Sequence, residues 1–246
     1  MTRIVRAAFL LVALTLAAIG GASASTPTSG ANAADEVVVI RSTSEAYPVG
    51  RTLSLSKDKL TLTGAQRLVL VDGQGALRRF NAPYAGPINQ AAAEGANPGV
   101  ASVVSVLAAL LADPSRKADA LRSGGGSAEL PTPWAVSVEH SGPACAQTDR
   151  LTLWRRDGAR DSRLVIDMGA GGKKARANWA QGSGMLPMPA SLFTSGQTYL
   201  VKVDDQEVSL VLHIAPTAAA SPVETAVWMA NVGCKAQALS MIDSIQ

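Results

Sequence analysis

The chain has 246 residues, 22 lysines and arginines against 19 aspartates and glutamates, a formal net charge of +3, and only 4% aromatic residues. So even a balance argues against a nucleic-acid binder, which needs a concentrated positive field. The length allows one large domain or two small ones.

Residues 1–24 are predicted to be a secretory signal peptide. Arg3 and Arg6 precede an uncharged apolar run from Ala7 to Ile19, and small residues end in Ala22-Ser23-Ala24. A second small triplet, Ala31-Asn32-Ala33, offers an alternative cleavage after residue 33. The apolar run falls short of the roughly 20 residues that a membrane helix needs, and no longer one follows, so no integral membrane span is expected after cleavage. The expected location is the periplasm or the secreted fraction. Loss of Arg3 and Arg6 leaves 20 basic against 19 acidic residues. The only cysteines are Cys145 and Cys234. In an oxidising compartment an isolated pair predicts a disulfide, whereas a metal or redox site needs further ligands or a Cys-x-x-Cys spacing.

Residues 36–85 read as a small antiparallel β-domain. Val37 to Ile40, Leu53/Leu55, Leu60/Leu62 and Leu68/Leu70 form short apolar runs. Tyr47-Pro48-Val49-Gly50, Ser56-Lys57-Asp58 and Asp72-Gly73-Gln74-Gly75 separate them as turns, which predicts a meander. The order of Gly50 to Leu55, Ser56 to Leu62, Arg67 to Gly73 and Ala76 to Phe80 resembles the small β-domain of FecR-type proteins. The resemblance covers about a fifth of the chain, and the whole is similar to exported bacterial proteins carrying a FecR-like segment. It implies a periplasmic domain that takes part in signalling across the envelope. The sensor's own cytoplasmic segment and membrane span have no counterpart here, so a direct transmembrane sensor role is not expected.

Residues 97–127 are predicted as a helical connector and linker. Asn97-Pro98 opens a helix through Val103, Val104, Leu107, Leu110 and Leu111. Asp113-Pro114 opens a shorter one to about Leu121, and Ser123-Gly124-Gly125-Gly126-Ser127 is a flexible linker. Over 130–216 the period-two signal returns at Val136/Val138, Leu151/Leu153, Leu164/Ile166/Met168, Ala177/Trp179, Tyr199/Val201/Val203 and Val208 to Ile214. Six such strands predict an immunoglobulin- or fibronectin-like β-sandwich, with Cys145 in a loop and Cys234 beyond the last strand. The tail, 221–246, is expected to be helical. Ser221-Pro222-Val223-Glu224 is a capping box, Gly233 a left-handed stop, and Leu239 and Ile242 mark a second helix. The fold class is thus mainly β: a small antiparallel domain, a helical connector, a sandwich and C-terminal helices.

No catalytic constellation stands out. Gly169-Ala170-Gly171-Gly172-Lys173-Lys174 has neither the spacing nor the Ser/Thr of a phosphate loop and reads as a hairpin turn. His140 and His213 are far apart and read as surface residues, with no Gly-x-Ser-x-Gly elbow for a hydrolase. Asp204-Asp205-Gln206-Glu207 lacks the ligand alternation of a calcium loop. No metal or cofactor is expected. Arg155, Arg156, Arg160, Arg163, Lys173, Lys174 and Arg176 form the densest basic stretch, interleaved with Asp157 and Asp161. Among the tryptophans, Trp228 is expected in the core, whereas Trp179, flanked by Arg176 and Asn178, is expected to be exposed. The predicted binding surface is therefore Trp179, Arg155, Arg156, Lys173, Lys174 and Arg176. The leading expectation is a non-catalytic interaction or regulatory module for an envelope protein partner. A glycan- or peptidoglycan-binding module is the alternative, and an envelope hydrolase the third.

Overall fold

Alternating apolar residues build the first sheet. Its strands are β1 (Glu36–Ser42), β2 (Thr52–Ser54), β4 (Arg67–Asp72) and β5 (Leu77–Asn81), ordered β2-β1-β4-β5, while β3 (Lys59–Leu62) and β6 (Tyr84–Pro87) pair separately. The topology differs from the expected meander because β3 leaves the sheet and β4 returns beside β1. That departure places Leu60 and Leu62 over Val37, Val39, Leu68 and Leu70, closing one small core. Val37 to Ile40 are all buried because the sheet is covered on both faces. The β4–β5 turn is held by the Asp72 carboxylate, whose Oδ1 accepts from the Gln74 and Ala76 N–H groups, each at 3.0 Å.

The computed structural model describes residues 33–95, 103–112, 130–169, 173–216 and 221–245, all within the compact unit Ala31–Gln246. The helix start at Asn97-Pro98, the second connector helix and the Gly/Ser linker lie outside these residues.

The second face of the first sheet is covered by helices: α1 (Val103–Ala112), α2 (Pro222–Asn231) and α3 (Lys235–Asp243). Val38, Ile40, Val69 and Val71 share a core with Leu107, Val227, Met229 and Ile242. The chain's C-terminal helices thus complete its N-terminal β-unit, and the sandwich lies between them in sequence. Ser221 caps α2, its hydroxyl accepting from the Glu224 N–H at 3.2 Å, with Pro222 at the first turn. Ser221→Ala is expected to cost about 1 kcal/mol in denaturant unfolding, the usual worth of such a cap. Gly233 stops α2 at φ +88°, and a Cβ there would lie 3.1 Å from Pro143 Cγ, so glycine is required on two counts.

At the start of β1, the Asp35 carboxylate accepts from the Ser54 hydroxyl at 2.7 Å, the Ser56 hydroxyl at 2.9 Å and the Ser56 N–H at 2.9 Å. These bonds, the Ser54 hydroxyl first, hold its carboxyl below the ordinary aspartate value. A carboxyl that binds its proton more weakly folded than unfolded stabilises the fold above about pH 3.9, and that contribution disappears as pH falls through the folded value. Asp35→Asn is therefore expected to lower stability at neutral pH and to flatten its acid limb. Urea midpoints measured from neutral pH to about pH 3 check this.

The sandwich packs a five-stranded sheet, β11-β10-β13-β14-β8, on a three-stranded sheet, β12-β9-β7. The strands are β7 (Ala135–Ser137), β8 (Gly142–Ala146), β9 (Arg150–Trp154), β10 (Ser162–Asp167), β11 (Lys174–Trp179), β12 (Met185–Pro189), β13 (Gln197–Val203) and β14 (Gln206–Ile214). Leu151, Leu153, Leu164, Ile166, Trp179, Val201, Leu210 and Leu212 fill the space between the sheets. Two pairings are parallel, β8 with β14 and β7 with β9.

Cys145 lies in strand β8, not in the expected loop, and forms a disulfide with Cys234 at a Cα separation of 6.1 Å. Beside it the Gln237 amide of α3 imitates a neighbouring strand. Its Oε1 accepts from the Cys145 N–H at 2.7 Å, and its Nε2 donates to the Cys145 carbonyl at 2.8 Å. The free edge of β8 is thereby closed by a helix side chain. Among the described residues, no helix is long and apolar enough to cross a membrane.

Candidate functional site

Period-two geometry divides the predicted binding surface in two. In β9, Leu151 and Leu153 face the core, and Arg155 continues the same face past the strand end. In β11, Lys174, Arg176 and Asn178 face outward, so Trp179 faces inward. The expectation that Trp179 is exposed is thus corrected: it is 0% exposed, and Arg155 is 5% exposed with its guanidinium 5.0 Å from the Trp179 ring centre. The polar flanks of Trp179 point to the opposite side of the sheet from the ring.

Arg155 is held by five hydrogen bonds. It donates to the Ser162 hydroxyl at 2.5 Å, to the carbonyls of Arg160, Trp179 and Ala180 at 2.9, 3.3 and 3.0 Å, and to the Ser183 carbonyl at 3.3 Å. This arginine plugs the end of the sandwich and ties together the β9–β10 and β11–β12 connections. Arg156 is exposed and lies apart from the sheet face, its N–H donating to Glu139 at 2.9 Å. The core assignment of Trp228 is also modified, since Trp228 is half-buried against the helix cluster, as is Trp134.

What remains of the predicted surface is the outer face of the five-stranded sheet. The registers set two rows across it, Arg176–Val165–Lys202–Glu207 and Lys174–Asp167–Leu200–Ser209. Arg163 extends the face, and Lys173 flanks it. Leu200 is 44% exposed at its middle. Among the described residues no ion pair within 4.0 Å engages Arg163, Lys173, Lys174, Arg176 or Lys202. The face can therefore offer cations and an apolar side chain together. Lys202 and Leu200 carry no signal in the linear basic stretch, because they join it only through the β10–β13 register.

One corner of this face is fixed by Asp204, in the β13–β14 hairpin at φ +52°. Its carboxylate accepts from the Arg163 N–H at 2.8 Å, and that bond holds its carboxyl below the ordinary aspartate value. Comparison of the chain with protein-family models, with curated proteins and with solved structures finds no match. Its chemistry must therefore be read from its own surface.

On the three-stranded sheet, Trp154 is half-buried beside Met185, its direct cross-strand neighbour, which is 42% exposed. His140 is exposed, and the adjacent Ser141 hydroxyl accepts from the Ser209 N–H at 2.9 Å. That bond engages the hydroxyl in joining strands. Among the described residues, no group of three or more His, Cys, Asp or Glu is placed to hold a metal ion.

Proposed function

We propose that this chain is an exported, non-catalytic interaction module that presents the outer face of its five-stranded sheet to an envelope protein. The observation that carries the reading is the exposed Leu200 set among Lys174, Arg176 and Lys202, cations without an ion-pair partner among the described residues. A mixed apolar and cationic patch suits protein recognition, in which an apolar anchor supplies affinity and the charges select the partner. Export is supported by the signal-like N-terminus and by the Cys145–Cys234 disulfide. The FecR-like reading of residues 36–85 belongs to the same proposal, as the regulatory half of an envelope module.

A photo-crosslinking residue at position 200, activated in intact cells, tests this. The expected result is one discrete adduct that disappears when Lys174 and Arg176 are both changed to Glu. Adducts that are diffuse, or that survive this charge reversal, would overturn it. N-terminal sequencing of the exported chain is expected to start after Ala24 or Ala33.

A second reading rests on Trp154. With Met185 beside it, its ring offers a stacking surface for a sugar, so the glycan alternative moves here from the buried Trp179. Titration with soluble peptidoglycan fragments is expected to quench tryptophan fluorescence, and Trp154→Ala to abolish the effect. An unchanged signal in the wild type would remove this reading.

A further inference from the structure

The backbone of β11 is itself a binding element. Arg163 exchanges both of its backbone bonds with Asp204, donating to the carboxylate at 2.8 Å and accepting from the Asp204 N–H at 3.0 Å. Arg163 therefore turns its backbone groups toward β13, and Leu164 and Ile166 turn theirs toward Ala177 and Ala175 of β11. It follows that the N–H and C=O groups of Lys174, Arg176 and Asn178 point out of the sheet. None of them has a hydrogen-bond partner among the described residues.

The other edges of the sandwich are blocked. Gln237 closes β8, Pro187 and Pro189 remove donors from β12, and β7 is only three residues long. Strand β11 has six residues, none of them proline. Among the described residues it is the one long edge of this sandwich with its full set of donors and acceptors.

We infer that β11 takes up an extended acidic segment of a partner protein as an added strand. A residue paired with Lys174 or Arg176 lies on the same outer face as these cations, so acidic side chains two residues apart would meet both. The residue between them falls opposite the half-buried Ala175 and suits a small or branched apolar side chain. The motif recognised is thus acidic–apolar–acidic, which reads the same in both strand directions. A second copy of this chain is selected against, because two antiparallel β11 edges bring like charges together. The same cations that keep copies apart would admit an acidic strand. This deepens the reading above, for which it names the class of partner segment.

The probe is a capped peptide of about seven residues alternating valine with glutamate, with a valine–lysine counterpart. Amide exchange is expected to slow at Lys174, Arg176 and Asn178 with the glutamate peptide alone. Arg176→Pro removes an outward donor without breaking a bond to β10, and is expected to weaken binding at least about tenfold with unfolding temperature unchanged. The Lys174→Glu/Arg176→Glu double variant is expected to prefer the lysine peptide instead, and needs no proline to be tolerated. Equal binding of both peptides by the wild type, protection at other residues, or an unchanged preference in the double variant would overturn the inference. An adduct at position 200 that is insensitive to Arg176→Pro would overturn strand addition while leaving the face as the interaction surface. Absence of that adduct with peptide binding intact would instead overturn the proposed use of the face.

Discussion

Arg155→Ala is expected to destabilise the protein by roughly 3 to 5 kcal/mol. Arg155 is 5% exposed and satisfies four backbone carbonyls and the Ser162 hydroxyl. Truncation removes a donor from each of these acceptors and empties the space beside the buried Trp179 ring, although the Ala180 carbonyl keeps the Ser183 N–H, and a buried polar group left unpaired costs about 1 to 3 kcal/mol. The attraction of the guanidinium to the Trp179 ring is lost as well. Arg155→Lys is expected to recover less than half, because an ammonium group is a compact donor that cannot span acceptors on both the β9–β10 and β11–β12 connections. Denaturant unfolding followed by tryptophan fluorescence measures both variants. A cost below about 1 kcal/mol for the alanine variant would mean that the plug is not structural.

Removing the disulfide is expected to have an effect of similar size. Cys145 and Cys234 are 89 residues apart, and closing a loop of that length is worth about 4 to 5 kcal/mol by chain entropy alone. The Cys145→Ala/Cys234→Ala variant should accordingly melt on the order of 10 °C lower in a thermal scan. Gln237 tests whether the bridge acts by closing the loop or by seating α3 on β8. Gln237→Leu strips both bonds from the Cys145 backbone while leaving the bridge intact. If the bridge acts by loop closure, the two losses are expected to add. A triple variant no less stable than the cysteine-free one would show that Gln237 binds only where the disulfide has already positioned α3.

The elements that were legible in the sequence were those with a strict period. Leu164/Ile166, Tyr199/Val201/Val203 and Val208 to Ile214 became β10, β13 and β14. Ser221-Pro222-Val223-Glu224 became the capped start of α2. Three strands were missed for identifiable reasons, the first being β6, whose four residues follow Pro83 and end on Pro87. β8 reads Gly-Pro-Ala-Cys-Ala, too small and uniform to show alternation, and β12 carries two prolines that normally demote a strand. The error at Trp179 had a different origin. Its neighbours Arg176 and Asn178 suggest polar surroundings, although in a strand they mark the opposite face. Arg155 was misplaced for the complementary reason, since its charge concealed that it continues the inward set Leu151 and Leu153. The basic stretch carried part of the candidate face, whereas Lys202 and Leu200 entered through pairing between strands, which no linear pattern encodes.

Two of the three helices that cover the first sheet follow the sandwich in sequence, and the Ile245 carbonyl accepts from Arg41 of β1 at 2.9 Å. Synthesis runs in the same order. When β1 and β4 first emerge, only α1 follows soon enough to cover Val38, Ile40, Val69 and Val71, and α2 and α3 join that core after the whole sandwich has been made. The first β-unit is thus begun before the sandwich and completed after it, and during that interval its partly covered core depends on whatever holds nascent apolar surface in solution.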